Sequence, residues 1–192
     1  MPLIGFLNAG GQDAFAPRMD VFWRGLNENG YTKGRNVAIE YRWAEGQFER
    51  LPAMATDLVR RNPTVIAAFG PPAALAAKAA TSTIPIVFVT GSDPVESGLV
   101  VSLNQPGANV TGVHLVLQGL EGKRLGLMRE LVPQAALIGA LINPSSPDAL
   151  DQSRALQAAA RAVGNRSWWS KPAVTANWSP HLRRSGNAGS VA

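Results

Sequence analysis

Cysteine is absent from the 192 residues, which excludes a disulfide scaffold, a thiolate metal site and a cysteine nucleophile without assigning a compartment. Histidine is scarce. His114 and His181 are the two present, too far apart in sequence to form a local metal motif. No apolar run approaches the ~18–20 residues of a membrane-spanning helix. Charged residues make up only 16% against 46% hydrophobic, a balance that excludes a disordered chain. The chain does have length enough for a core, one ordinary domain or a little more, which removes roughly 70% of its surface from water.

The formal charge of +5 invites a nucleic-acid reading, but its location argues otherwise. Residues 1–164 hold 14 Lys and Arg against 13 Asp and Glu. Residues 165–192 hold Arg166, Lys171, Arg183 and Arg184 and no acid. The body is nearly neutral, and the basic character belongs to the last 28 residues.

The body alternates between strand and helix patterns. Apolar runs at 3–7, 37–41, 65–69, 86–89, 110–113 and 137–142 read as strands. Between them lie helical stripes, the first carried by Phe15, Met19, Phe22 and Leu26 and the second by Leu51, Met54, Ala55, Leu58 and Val59. Further helices are expected at about 71–80, 94–103, 120–132 and 147–163. Gly30 and Asn62-Pro63 read as stop signals, and Pro71-Pro72 as a start. Apolar strands joined by amphipathic helices imply an α/β fold, a Rossmann-like parallel sheet with helices on both faces. Right-handed crossovers bring every strand-to-helix loop to one edge, where open α/β sheets bind ligands. Residues 8–12, 70–73, 90–94 and 143–146 are therefore candidate site loops. After Gly164 the alternation stops, and residues 165–192 carry three of the five tryptophans with neither periodicity.

No motif for catalysis assembles. The Asn8-Ala9-Gly10-Gly11-Gln12 loop lacks the glycine spacing of a dinucleotide fold and the lysine of a P-loop, and no nucleophile elbow is present. His114 reads as a crossover or cleft-wall residue more readily than as a base. Ser92-Asp93-Pro94-Val95-Glu96 has two readings that can coexist: Asp93 caps a helix, or its carboxylate faces a ligand ammonium. The helix starting at Gly70-Pro71-Pro72-Ala73 offers a dipole to an anion, as every helix start does. Neither a metal nor a cofactor is expected.

Several stretches carry a more specific signal. Tyr41-Arg42-Trp43-Ala44-Glu45-Gly46 through Arg50-Leu51-Pro52 is one, and Thr83-Ile84-Pro85-Ile86-Val87-Phe88-Val89 another. Ser92-Asp93-Pro94-Val95, Gly98-Leu99-Val100 and Asn104-Gln105-Pro106-Gly107-Ala108-Asn109-Val110-Thr111-Gly112-Val113 continue them, with Lys123-Arg124-Leu125 and Glu130-Leu131-Val132-Pro133 after. Together they resemble ABC-transporter substrate-binding proteins, in the group that includes importers of tryptophan and related amino acids. The resemblance runs over about residues 3–164.

The resemblance implies two α/β lobes closing on a small-molecule ligand, a periplasmic-binding-protein-like architecture without enzymatic activity. Residues 1–113 correspond to the first lobe, 114–164 to the crossover and an incomplete second lobe, and 165–192 to an aperiodic basic tail. Ligand contacts are implied at Asn8, Gly10 and Gln12, at Gly70, Pro72 and Ala73, at Ser92 and Asp93, and at Asn143 and Ser145. For an amino acid, the helix near Pro72 receives the carboxylate and Asp93 the ammonium. The implied partner is a membrane ABC permease, in a periplasmic or extracytoplasmic location, with no nucleic acid. The chain departs from the family in three ways. Pro71 stands where a hydroxyl residue is frequent, His114 where a small residue is usual, and the second lobe is cut short. No signal-peptide pattern precedes the first strand. A shifted reading frame from about Asn165 is the expected source of the break, the rival being a genuine basic, aromatic tail that contacts nucleic acid or membrane. The expectation is impaired ligand binding with self-association through the incomplete lobe. The alternative is a single-lobe Rossmann-like enzyme or a ligand-sensing regulatory domain.

Overall fold

A computed structural model of the chain describes residues 1–115, 119–134, 138–142 and 149–162. The chain divides into two compact units, Met1–Leu120 and Glu121–Ala192. The first holds strands β1 (Leu3–Asn8), β2 (Ala38–Trp43), β3 (Val65–Phe69), β4 (Ile86–Thr90) and β5 (Val110–His114). All four pairings are parallel, in the order β2-β1-β3-β4-β5. Helices α1 (Gln12–Glu28), α2 (Leu51–Arg60) and α3 (Pro71–Ala80) connect the first four strands.

The sheet has two covered faces because each strand alternates two apolar sets. Ile4, Phe6 and Ala67 point to one side and pack with Phe15, Met19, Trp23 and Leu26 of α1. Phe6 is the hub of that layer, with the rings of Phe15, Tyr41, Trp43 and Phe69 at centroid distances of 4.8 to 5.8 Å. Leu7, Ile66, Ala68, Ile86, Phe88 and Val110 point to the other side and meet Leu51, Ala55 and Leu58 of α2 and Ala73, Ala74 and Ala77 of α3. Fully burying one such leucine contributes about 1.5–3 kcal/mol. The alanines of α3 let that helix lie close on the sheet.

Helix ends follow the sequence signals. The N–H groups of Gly30 and Tyr31 donate to the carbonyls of Asn27 and Leu26, closing α1 in a Schellman arrangement with Gly30 at φ 83°. Asn62 takes φ 50° after α2, directly before Pro63. Across the sheet, Arg42 Nε donates to Asp57 Oδ2 of α2 at 2.9 Å. That contact raises the Arg42 pKa and lowers that of Asp57.

Two expected elements are absent from the described residues. The helix predicted after Pro94 is a run of turns over 94–98. The Pro94 carbonyl accepts from both Leu99 and Val100, and Gly98 at φ 70° turns the chain away. The described part of the strand expected at 137–142, residues 138–142, does not form a strand. That unit contains α4 (Glu121–Leu131) and α5 (Ala149–Ala162). Residues 165–192, read above as an aperiodic tail and a frameshift product, lie outside the described residues.

Candidate functional site

The carboxyl ends of β1, β3 and β4 converge on a cavity of about 320 Å³. Asn8, Phe69 and Val89 stand in register on three adjacent strands. Phe15 and Arg18 of α1, the loop residues Ala9, Gly10, Gly70 and Gly91, and Thr90 and Leu115 complete the lining. The walls are largely apolar, and the polar atoms among them are few enough to name.

Asn8 is buried at 4% exposure, and its Oδ1 accepts the Gly10 N–H at 2.7 Å. Its Nδ2 is closed to solvent and has no hydrogen-bond partner. The loop that follows is pinned by its backbone. Ala9 N–H donates to Phe69 O, and the carbonyls of Asn8, Ala9 and Gly10 accept from Ala44, Gly46 and Glu45. A Cβ at Gly11 would fall on the carboxylate of the exposed Glu45, a flexible side chain that would have to swing aside. Arg18 is exposed, and its guanidinium lies 5.5 Å from the centroid of the Phe15 ring.

Across the cavity, Gly70 takes φ 91° and ψ 149°, a region open essentially to glycine alone. Its N–H donates to Val89 O at 2.9 Å. Pro71 and Pro72 have no N–H, so Ala73 is the first residue of α3 with a donor left over for an anion. The dipole of α3 is intact, but two of its terminal donors are missing.

Of the residues singled out from sequence, Asn8, Gly10 and Gly70 line the cavity together. Gln12, Pro72, Ala73, Ser92 and Asp93 do not. Ala73 is fully buried in the core, so its side chain is turned away from any ligand. Ser92 exchanges hydrogen bonds with Thr90, its N–H donating to Thr90 Oγ1 at 3.1 Å. Asp93 Oδ1 accepts the N–H groups of Val95 at 2.8 Å and Glu96 at 3.1 Å, so it holds the turn that stands where the sequence suggested a helix for it to cap. These bonds, from Glu96 first and Val95 second, hold the Asp93 carboxyl below its ordinary value of 3.8. Asn143 and Ser145 lie outside the described residues. His114 pairs with Thr90 across β4 and β5, and its Nε2 is buried without a partner.

Phe15, Arg18, Phe69, Val89 and Leu115 were not singled out from sequence. Phe15 and Arg18 had a usable signal, since spacing three on the helix after β1 puts them on one face beside the first loop. Phe69 and Val89 read as ordinary strand residues, and only the sheet register brings them to the cavity.

Comparisons with known proteins identify the family and the fold. Residues 11–165 match the profile of the family described as ABC transporter substrate binding protein. A tyrosine-binding protein of Clostridioides difficile (strain R20291) is 37% identical over 124 residues, which is 65% of this chain and 35% of that protein. A Vibrio cholerae conserved domain protein shares the fold with a TM-score of 0.75 at 30% identity, over 85% of this chain and 54% of the other. An ABC domain from Streptococcus pneumoniae in complex with L-Trp gives a TM-score of 0.68 at 28% identity, over 85% and 54% respectively. The chain thus spans about half the length of these solved structures and a third of the curated relative. With the profile covering most of its length, the chain belongs to the family of ABC transporter substrate-binding proteins.

Proposed function

We propose that the cavity at the carboxyl edge of the sheet is the first-lobe half of a site for an amino acid with a large apolar side chain. The observation that carries this is the lining: Phe15, Phe69, Val89 and Leu115 make an apolar wall around one buried amide, with the Arg18 guanidinium at the exposed rim. A cavity of 320 Å³ sits at the lower end of the roughly 300–1,000 Å³ usual for small-molecule sites. That size suits one amino acid. The tyrosine and tryptophan bound by relatives are of this chemistry.

In this reading the ligand carboxylate stays at the rim near Arg18, because the first turn of α3 lacks two N–H donors. Gly10 and Gly70 let the ligand approach the backbone closely. Asp93 is assigned to the turn after β4. Asn143 and Ser145 belong to the proposed contacts of the second lobe, and His114 to the crossover wall. The work of the whole protein is capture of this ligand and its delivery to an ABC permease in the membrane, on the extracytoplasmic side. No helix among the described residues is long and apolar enough to cross a membrane.

One lobe offers one wall, so binding to the 192-residue chain is weak. Amide NMR titration with L-tyrosine and L-tryptophan up to millimolar concentration tests the reading. Shifts at Gly10, Gly70 and Gly91, with residues of α2 unmoved, are the expected result. Absence of any shift at those three glycines at the highest concentration overturns it.

A further inference from the structure

We propose that the Asn8 carboxamide is the specificity determinant of this cavity and that it selects ligands carrying a hydrogen-bond acceptor oxygen at the buried end of an apolar body, of the phenol type. This deepens the proposed function and rests on it.

The argument starts from the two ends of one amide. Asn8 Oδ1 is committed to the Gly10 N–H at 2.7 Å, and Gly10 O is in turn held by the Glu45 N–H at 3.2 Å. Rotating the amide by half a turn would set its NH2 against the Gly10 N–H, donor against donor. The orientation is therefore fixed by the backbone, and the group presents Nδ2 alone. That nitrogen is closed to solvent and without a partner, in a residue only 4% exposed. Buried amide N–H groups are almost always paired, so this one calls for a partner, and the cavity that Asn8 lines is where a ligand can supply it.

The chemistry of that partner is restricted by its surroundings. Phe15, Phe69 and Val89 share the lining with Asn8, and the one cation in that lining, Arg18, is an exposed residue. A carboxylate taken there would lose its hydration without a counter-charge. A carboxylate is better held at the rim, where the exposed Arg18 guanidinium stands. A neutral oxygen on a ring accepts the Nδ2–H without that penalty. An indole N–H, being a donor, leaves Nδ2 unpaired, and a plain phenyl ring does the same. Sites built around a buried hydrogen-bonding group reject ligands that lack the complement more strongly than they reject a change of size.

Tyrosine, phenylalanine and 4-methylphenylalanine separate oxygen from size and are titrated into the full 192-residue chain by NMR. Tyrosine is expected to bind about tenfold more tightly than either analogue, the ratio that one satisfied neutral hydrogen bond supplies. The Asn8 side-chain amide resonances, assigned from their loss in Asn8→Leu, shift with tyrosine alone. In Asn8→Leu the advantage of tyrosine disappears, with circular dichroism confirming the fold. Equal affinity for all three in the wild type overturns the inference and leaves the amino-acid site standing. So does a tyrosine preference that survives in Asn8→Leu. Failure of all three to move Gly10, Gly70 or Gly91 overturns the site and the inference with it. If Asn8→Leu does not fold, the wild-type series still decides, since it needs no variant.

Discussion

Gly70 shows what the site asks of single residues. At φ 91° and ψ 149° it turns the chain from β3 into α3 while its N–H stays bonded to Val89 O. Gly70→Ala is expected to cost about 1–3 kcal/mol, read as a lower urea midpoint, because the strain is in the backbone and the nearest side-chain atom, Ala9 Cβ at 3.6 Å, is in ordinary contact. Gly112→Ala is expected to be worse, since its Cβ would fall on the backbone of Phe88, which has no room to yield. Asp93 makes a pH-dependent contribution. Its folded-state pKa lies below the ordinary 3.8, so its stabilising effect is present above that value and fades as pH falls through the lowered one. Asp93→Asn therefore lowers the melting temperature at neutral pH, and the gap from wild type closes in acid below about pH 4, measured by a thermal scan across pH. At this scale the loops of the cavity were legible, because Asn8, Gly10 and Gly70 sit in stretches marked by their glycines. Helix position alone, by contrast, does not say that the Ala73 side chain is buried and leaves only its backbone N–H to offer.

At the scale of elements, the two edges of the sheet are unlike. β2 carries Glu40 and Arg42, and such charges discourage a second sheet from adding to it. β5, with sequence Val-Thr-Gly-Val-His, has no acid, lysine or arginine, and its exposed Val113 stands near exposed Val87 on a face that α1 does not reach. Val113→Lys is expected to change stability by less than about 0.5 kcal/mol while reducing light scattering at high protein concentration. Unchanged scattering, or a large loss of stability, would contradict the assignment of β5 as an open edge among the described residues. Elements with a strong period were legible to within about three residues: α1, α2 and all five strands of the first unit. The stretch after Pro94 was not, because proline and an acidic cap announce a helix start without saying whether the following residues sustain it. There the outcome was set by Gly98 and by Leu99 and Val100 turning back to bury in the core.

For the whole molecule, the two units differ in how much they bury. Nineteen of the twenty buried core hydrophobics belong to Met1–Leu120, and Ala159 of α5 is the exception among the described residues. α4 buries none of its residues. Hydrogen exchange is expected to be slowest in β1 and β3 and faster by orders of magnitude in α4. Uniform protection across both units would refute this. The alternation of strands and helices made the α/β class legible because each element's period reports its own buried face. The cavity was not, because it depends on register between strands far apart in sequence. The strand order has one more consequence. β1 lies inside the sheet and precedes its neighbours in the chain; β2 and β3 then add to its two sides, β4 joins β3, and β5 joins β4. No strand has to be inserted between two that are already paired. A ribosome releasing the chain from its amino end can therefore build the sheet outward in the order of synthesis, so that the costly closure of each long crossover is met one at a time.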